Sequence, residues 1–166
     1  GGWTLSGKSF FRTGLPFTVI DNASLAPLLG LNYNGYILAS PAGRLPDSCT
    51  SAVNSPCLNT SQFAPAGALA GFGTIGRNSI SGPHFFDLDM ALMKDVRLTE
   101  HVALSFGAQA YNLFNHSNFD EPVSDIADPQ FGRSIASVGP PTSLLGSFVG
   151  AGSSPRFVEI KGLVRF

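Results

Sequence analysis

Four stretches of this chain alternate apolar and polar residues one by one, and a period of two restricts them to β-strands with unlike faces. In FVEIKGLVRF (157–166), Val158, Ile160, Gly162, Val164 and Phe166 point one way and Phe157, Glu159, Lys161, Leu163 and Arg165 the other. FDLDMALMKDVR (86–97) sets Phe86, Leu88, Met90, Leu92 and Val96 against Asp87, Asp89, Ala91, Asp95 and Arg97. VALSFGAQAYNL (102–113) sets Val102, Leu104, Phe106, Ala108 and Ala110 against Ser105, Gly107, Gln109 and Tyr111. A weaker instance spans 3–11, where Trp3, Leu5 and Phe11 oppose Thr4, Ser6 and Lys8. These segments hold nine charged residues, eight of them on the polar face. The exception, Lys94, lies close enough to 98–101 for its long side chain to snorkel toward a headgroup layer.

Each segment has about the length of a tilted strand crossing a bilayer, roughly 9–11 residues. Charged residues make up only 13% of the chain, about half the usual share. Mean hydropathy is +0.17, yet no apolar run approaches the ~18 residues of a spanning helix. A membrane crossing by this chain is therefore made by strands. Alternation by itself fits a soluble antiparallel sandwich equally well. Aromatic placement favours the membrane: with 98–101 as a periplasmic turn, Phe10, Phe11, Phe85, Phe86, Phe114 and Phe157 fall at the outer strand ends, and Trp3 and Phe166 at the inner ends. Two aromatic belts around an apolar band, with a short inner turn and long outer connections (about 12–85 and 114–156), is the pattern of an outer-membrane barrel. On that reading Asp87, Asp89, Gln109 and Tyr111 face the lumen, as structural polar lining or as ligand contacts.

Little in the sequence points to catalysis. GFGTIG (71–76) has the spacing of a dinucleotide fingerprint, but no β-branched strand precedes it, and Pro83 falls where the following helix would be in its second turn. The net charge of -1 gives no reason to expect nucleic acid. His84, His101 and His116 are scattered, and the nearest thing to a paired-carboxylate site is DLD at Asp87 and Asp89. No catalytic residue, metal site or cofactor is expected, and the chain reads as no enzyme. Cys49 and Cys57 lie in DSCTSAVNSPCLN, a polar tract read as exposed loop, and their spacing suits a local disulfide in an oxidising compartment.

GRNSISGPHFFDLDMALMKDVRLTEHVALSFGAQAYNLFNHSNFDEP, followed by FGRSIASVG and the ending VEIKGLVRF, closely resembles the C-terminal end of TonB-dependent outer-membrane receptors. The nearest group is the Oar-like receptors, often with a carboxypeptidase-regulatory-like domain at their N-terminus. The resemblance covers 71–166 well, and WTLSGKSFFRTGLPFTV (3–19) looks like an earlier strand of the same barrel. It implies that Gly71, Gly73 and Gly76 serve turns and extended backbone rather than a phosphate. It also implies that Val158, Ile160, Gly162, Val164 and Phe166 form the signal by which the barrel-assembly machinery reads the last strand.

A receptor of this kind has a plugged 22-stranded barrel, so about four strands without a plug or TonB-contacting segment read either as a C-terminal fragment, the preferred reading, or as a chain with additional strands in 12–85. The start at Gly1, without methionine or signal peptide, agrees with a fragment or processed product. The expected fold is all-β: antiparallel strands of a transmembrane β-barrel with long outer loops, ending in the strand 157–166. The implied protein sits in the cell outer membrane and takes up a large or scarce solute. Its partners are outer-membrane lipid, the assembly machinery, and TonB through the missing N-terminal part. The alternative is a secreted β-sandwich binding or adhesive module, which would bury its apolar strand faces in a core.

Overall fold

In a computed structural model, which describes residues 1–24, 36–50, 55–68, 72–139 and 155–166, the alternating stretches become strands. Among the described residues these are β1 (Trp3–Arg12), β2 (Pro16–Phe17), β3 (Ile80–Ser81), β4 (Phe85–Arg97), β5 (Ala103–Tyr111) and β6 (Phe157–Arg165). The chain divides into two compact units: Gly1–Arg12, Phe85–Asn118 and Val138–Phe166 form the first, and Thr13–His84 and Phe119–Ser137 the second.

The first unit is a four-stranded sheet in the order β1-β4-β5-β6. Every pairing is antiparallel. This is a meander in which spatial neighbours follow one another in the chain, apart from the two short strands of the second unit. Its tight turn joins β4 to β5. The Leu98 N–H donates to the Val102 carbonyl at 2.9 Å, and the Thr99 hydroxyl accepts from the Val102 N–H at 3.0 Å. A threonine hydroxyl closing its own turn in this way needs no glycine.

β5 stops at Tyr111, two residues short of the expected 113, because Asn112 takes a left-handed backbone (φ 47°) that breaks the ladder. Asn115 repeats this conformation (φ 51°). The Asn112 side chain then ties the turn together: its Oδ1 accepts from the His116 N–H (2.9 Å) and its Nδ2 donates to the His116 carbonyl (3.0 Å).

The second unit takes in most of the connection expected over 12–85. β2 and β3 pair antiparallel, and the rest of its described residues are mostly irregular backbone around a core of their own. Phe17, Val19, Ala39, Cys49, Leu58, Phe63, Ile75, Ile80, Ile126 and Phe131 make up that core. Phe63 and Phe131 meet edge to face at 5.6 Å between centroids. Asp21 is fully buried, and its carboxylate accepts from the Ser24 N–H and hydroxyl (3.2 and 2.5 Å) and from the Gly67 N–H (3.2 Å). A buried charge is tolerable only with such partners.

Cys49 and Cys57 form a disulfide with Cα atoms 5.4 Å apart. Cys49 is a buried member of the core and Cys57 is half-buried against it, while Asp47, Ser48, Thr50, Ser55 and Asn59 of the same tract are exposed. Gly73 of GFGTIG also has its explanation here. A Cβ on Gly73 would lie 1.7 Å from the Leu38 carbonyl oxygen, so only glycine permits this approach of two backbones. Gly71 lies outside the described residues.

Two glycines of the sheet make a contrast that can be measured. A Cβ at Gly107 would lie 2.1 Å from the Leu92 carbonyl oxygen, whereas Gly162 has open space where its Cβ would stand. Gly107→Ala should destabilise the β4–β5 pair by about 1–3 kcal/mol, lowering the urea midpoint of the folded protein in detergent. Gly162→Ala should leave that midpoint within about 0.5 kcal/mol of wild type. Equal midpoints for the two variants would contradict the observed pairing.

Candidate functional site

Register decides which residues share a face, since a slip by one position turns a whole strand over. Here Leu5 pairs with Leu92, Leu92 with Ala108, and Ala108 with Ile160. The next rows repeat the rule. Gly7, Met90, Ala110 and Val158 align, then Trp3, Lys94, Phe106 and Gly162, then Val96, Leu104 and Val164. One face of the sheet is therefore apolar from edge to edge. It is also open: Leu5 is 66% exposed, Leu92 45%, Phe106 44% and Ile160 85%, while Leu88, Met90 and Leu104 are half-buried. A soluble sandwich would bury this face under a second sheet.

The opposite face carries the sheet's charges, Lys94 excepted. Asp87, Asp89, Gln109 and Tyr111 all fall on it, since Ala91 pairs with Gln109 and Gln109 with Glu159. Lys161 Nζ donates to Gln109 Oε1 at 2.8 Å and lies 3.4 Å from Glu159 Oε2. The Tyr111 hydroxyl reaches the same Glu159 oxygen at 3.4 Å. Lys8 stands opposite Asp89 in register, and Asp89 Oδ1 accepts from the Asn112 N–H at 3.0 Å. The Ser105 hydroxyl donates to Asp95. Asp87 is buried. Gln109, Tyr111, Glu159 and Lys161 form one cross-strand set and Ser105 and Asp95 another, and among the described residues no group of three potential metal ligands forms.

Lys94 keeps its cation at the edge of the apolar face. Its Nζ lies 5.2 Å over the Trp3 ring and donates to the Gly1 carbonyl at 2.6 Å. Gly1 precedes Trp3, the register partner of Lys94, so the side chain reaches toward the 98–102 end of the sheet. That is the direction snorkelling requires.

The outer aromatic cluster is real but divided between the faces. Phe11 pairs with Phe86 on the apolar side, and Phe114 stacks on Phe86 at 6.0 Å. Phe10 and Phe85 meet edge to face at 5.4 Å on the polar side, where Arg12 lies 5.9 Å over the Phe85 ring. Phe157 stacks on Tyr111 at 4.4 Å, also on the polar side. Half of the proposed outer belt is thus not lipid-directed, because adjacent residues of a strand cannot share a face. Of the terminal set, Val158, Ile160, Gly162 and Val164 lie on the apolar face in register with β5. Phe166 follows the end of the strand and is fully exposed.

One device was not read from the sequence. The Asn118 side chain behaves as a short strand beside the start of β4: its Oδ1 accepts from the Phe86 N–H (2.8 Å) and its Nδ2 donates to the Phe86 carbonyl (2.9 Å). His116 Nδ1 lies 3.0 Å from the same Oδ1. The density of asparagine in YNLFNHSNF was the available signal for such a turn.

An antiparallel meander with one apolar open face and one charged face is the wall of a membrane-spanning β-structure. A family model described as an outer membrane beta barrel domain matches residues 1–144. The chain belongs to that family, and its location is the outer membrane. No curated protein and no solved structure matches it.

The faces can be told apart by charge. Leu92→Arg, in the middle row of the apolar face, should cost about 2–4 kcal/mol near the bilayer midplane and reduce the heat-modifiable, folded fraction in outer membranes. Gln109→Arg stands directly opposite Glu159 on the other face and should assemble at close to wild-type level. Similar losses for both variants would mean that the faces are misassigned.

Proposed function

We propose that the sheet is the C-terminal part of the wall of a TonB-dependent receptor of the Oar-like type, a plugged barrel that takes up a large or scarce solute. The observation that carries the reading is the open sheet: among the described residues β1 and β6 each have one neighbour, whereas a barrel closes with about eight strands or more. Unpaired backbone in hydrocarbon costs several kcal/mol per group, so both edges call for further strands. The resemblance of 71–166 to the end of such receptors supplies the type. Asp87, Asp89, Gln109 and Tyr111 then line the lumen, where the hydrogen bonds of Asp89, Gln109 and Tyr111 to Asn112, Lys161 and Glu159 suit a structural wall better than a solute site.

In this reading the long connections 12–85 and 114–156 lie on the outer side, and Val158, Ile160, Gly162, Val164 and Phe166 are what the barrel-assembly machinery pairs with. Energy comes from the inner membrane through TonB, which contacts a part of the receptor outside this sequence. The chain performs no catalysis of its own and uses no cofactor. Outer-membrane lipid is the partner of the apolar face.

The test uses the full-length gene product. Its N-terminal region should encode a plug-like domain, and the detergent-extracted protein should be retained by the immobilised periplasmic domain of TonB. Deleting the segment that precedes the plug should abolish that retention while leaving the barrel folded. A gene product without a plug-like domain, or one not retained by TonB, would overturn the receptor reading and leave only a barrel of other purpose.

A further inference from the structure

Among the described residues Lys94 is the one charge on the apolar face of the sheet, and the protein does not balance it. No carboxylate of those residues lies within 4 Å of its Nζ. Asp95, next in the chain, stands on the opposite face and accepts from the Ser105 hydroxyl. The hydrogen bond from Nζ to the Gly1 carbonyl meets a neutral group, and an ammonium has further donors to place. The Trp3 ring, 5.2 Å from Nζ, attracts the cation through its face but carries no net charge. Trp3 is exposed, and its indole N–H finds no acceptor among the described residues.

The position of this pair limits what can supply the missing charge. Trp3, Lys94 and Phe106 share a row near the Arg97 end of β4, and the next row toward the middle of the sheet is Leu5, Leu92 and Ala108. Lys94 thus stands where hydrocarbon gives way to headgroups. A cation there pairs with an anion, because little water is at hand to solvate it. The anion that the layer itself offers is the phosphodiester of a glycerophospholipid. A zwitterionic headgroup brings an ammonium of its own, so a lipid of net negative charge complements Lys94 better.

The geometry points to a binding site for one anionic glycerophospholipid on the apolar face, with its phosphodiester held by Lys94 Nζ and the Trp3 indole N–H. Its acyl chains lie over Leu5 and Leu92 toward the middle of the membrane. With the short 98–102 turn facing the periplasm, as barrels place their short turns, the lipid belongs to the periplasmic leaflet. The site depends on the outer-membrane location and not on TonB coupling, so either reading can fail alone.

The test titrates the full-length protein, delipidated in detergent, with phosphatidylglycerol and phosphatidylethanolamine of the same chain length, and counts bound lipid by native mass spectrometry. Wild type should retain one phosphatidylglycerol in preference to phosphatidylethanolamine by about fivefold, the effect of one basic residue beside anionic lipid. Lys94→Met, which keeps the length of the side chain, should abolish that preference in heat-modifiable, folded protein, and Lys94→Arg should keep it. Trp3→Phe retains a ring without the N–H and should weaken phosphatidylglycerol retention about twofold or more. Lys8→Met, a cation lost from the opposite face, should change nothing, and glycerol 3-phosphate should not displace the lipid. Equal retention of the two lipids by wild type would overturn the proposal, as would a preference that survives Lys94→Met or disappears with Lys8→Met. Displacement by glycerol 3-phosphate would overturn the lipid as the source of the phosphate.

Discussion

A backbone that crosses hydrocarbon has no water to satisfy its N–H and C=O groups, so every strand must be paired and every pair must keep its register. The meander β1-β4-β5-β6 answers both demands where it has neighbours. Its registers place Leu5, Leu92, Ala108 and Ile160 in one row on one face. A slip of one residue in β4 would carry Asp87, Asp89 and Asp95 to the apolar side, each at a cost of up to several kcal/mol. Those carboxylates thus select the register as strongly as the leucines do. Lys94 is tolerated on the apolar side because it is near a strand end, with Trp3 and the Gly1 carbonyl to receive its charge.

The second unit meets a different problem. Its described residues form two strands of two residues each, so few of their backbone groups are satisfied by regular ladders. The core gathers single apolar residues from distant positions, and the Cys49–Cys57 bridge constrains the chain between them. Asp21 serves the same end with hydrogen bonds, joining Ser24 to Gly67 from a fully buried position. Small irregular units bury too little surface to be stable on apolar contacts alone, which is where disulfides are most useful.

The strands were legible because a period of two with charges on one side is a local signal, and the four-residue span 98–101 left β4 and β5 no other arrangement than a hairpin. The partner of β1 was not legible: Arg12 and Phe85 are joined by a long connection, and no turn sets their register. The second unit was not legible either. Leu58 and Ile75 stand among polar residues and glycines, Val19 and Ala39 lie in apolar runs too short to show a period, and irregular backbone has no periodicity to betray which residues face inward. The polar candidates Asp87, Asp89, Gln109 and Tyr111 share a face because parity along a strand survives any correct pairing. The aromatic belt was half legible: position along a strand can be read from the sequence, but Phe10, Phe85 and Phe157 share the parity of Lys8, Asp87 and Glu159 and so stand on the charged face.

The central claim is that the apolar face of β4 meets lipid while its other face does not. Nitroxide labels placed one at a time along 86–96 in the full-length protein, reconstituted in bilayers, measure this directly through collision with oxygen and with a water-soluble nickel complex. Oxygen accessibility should peak at 86, 88, 90, 92 and 96, with the nickel complex favoured at 87, 89, 91 and 95. Uniform accessibility along the strand, or oxygen maxima at the odd positions, would contradict it.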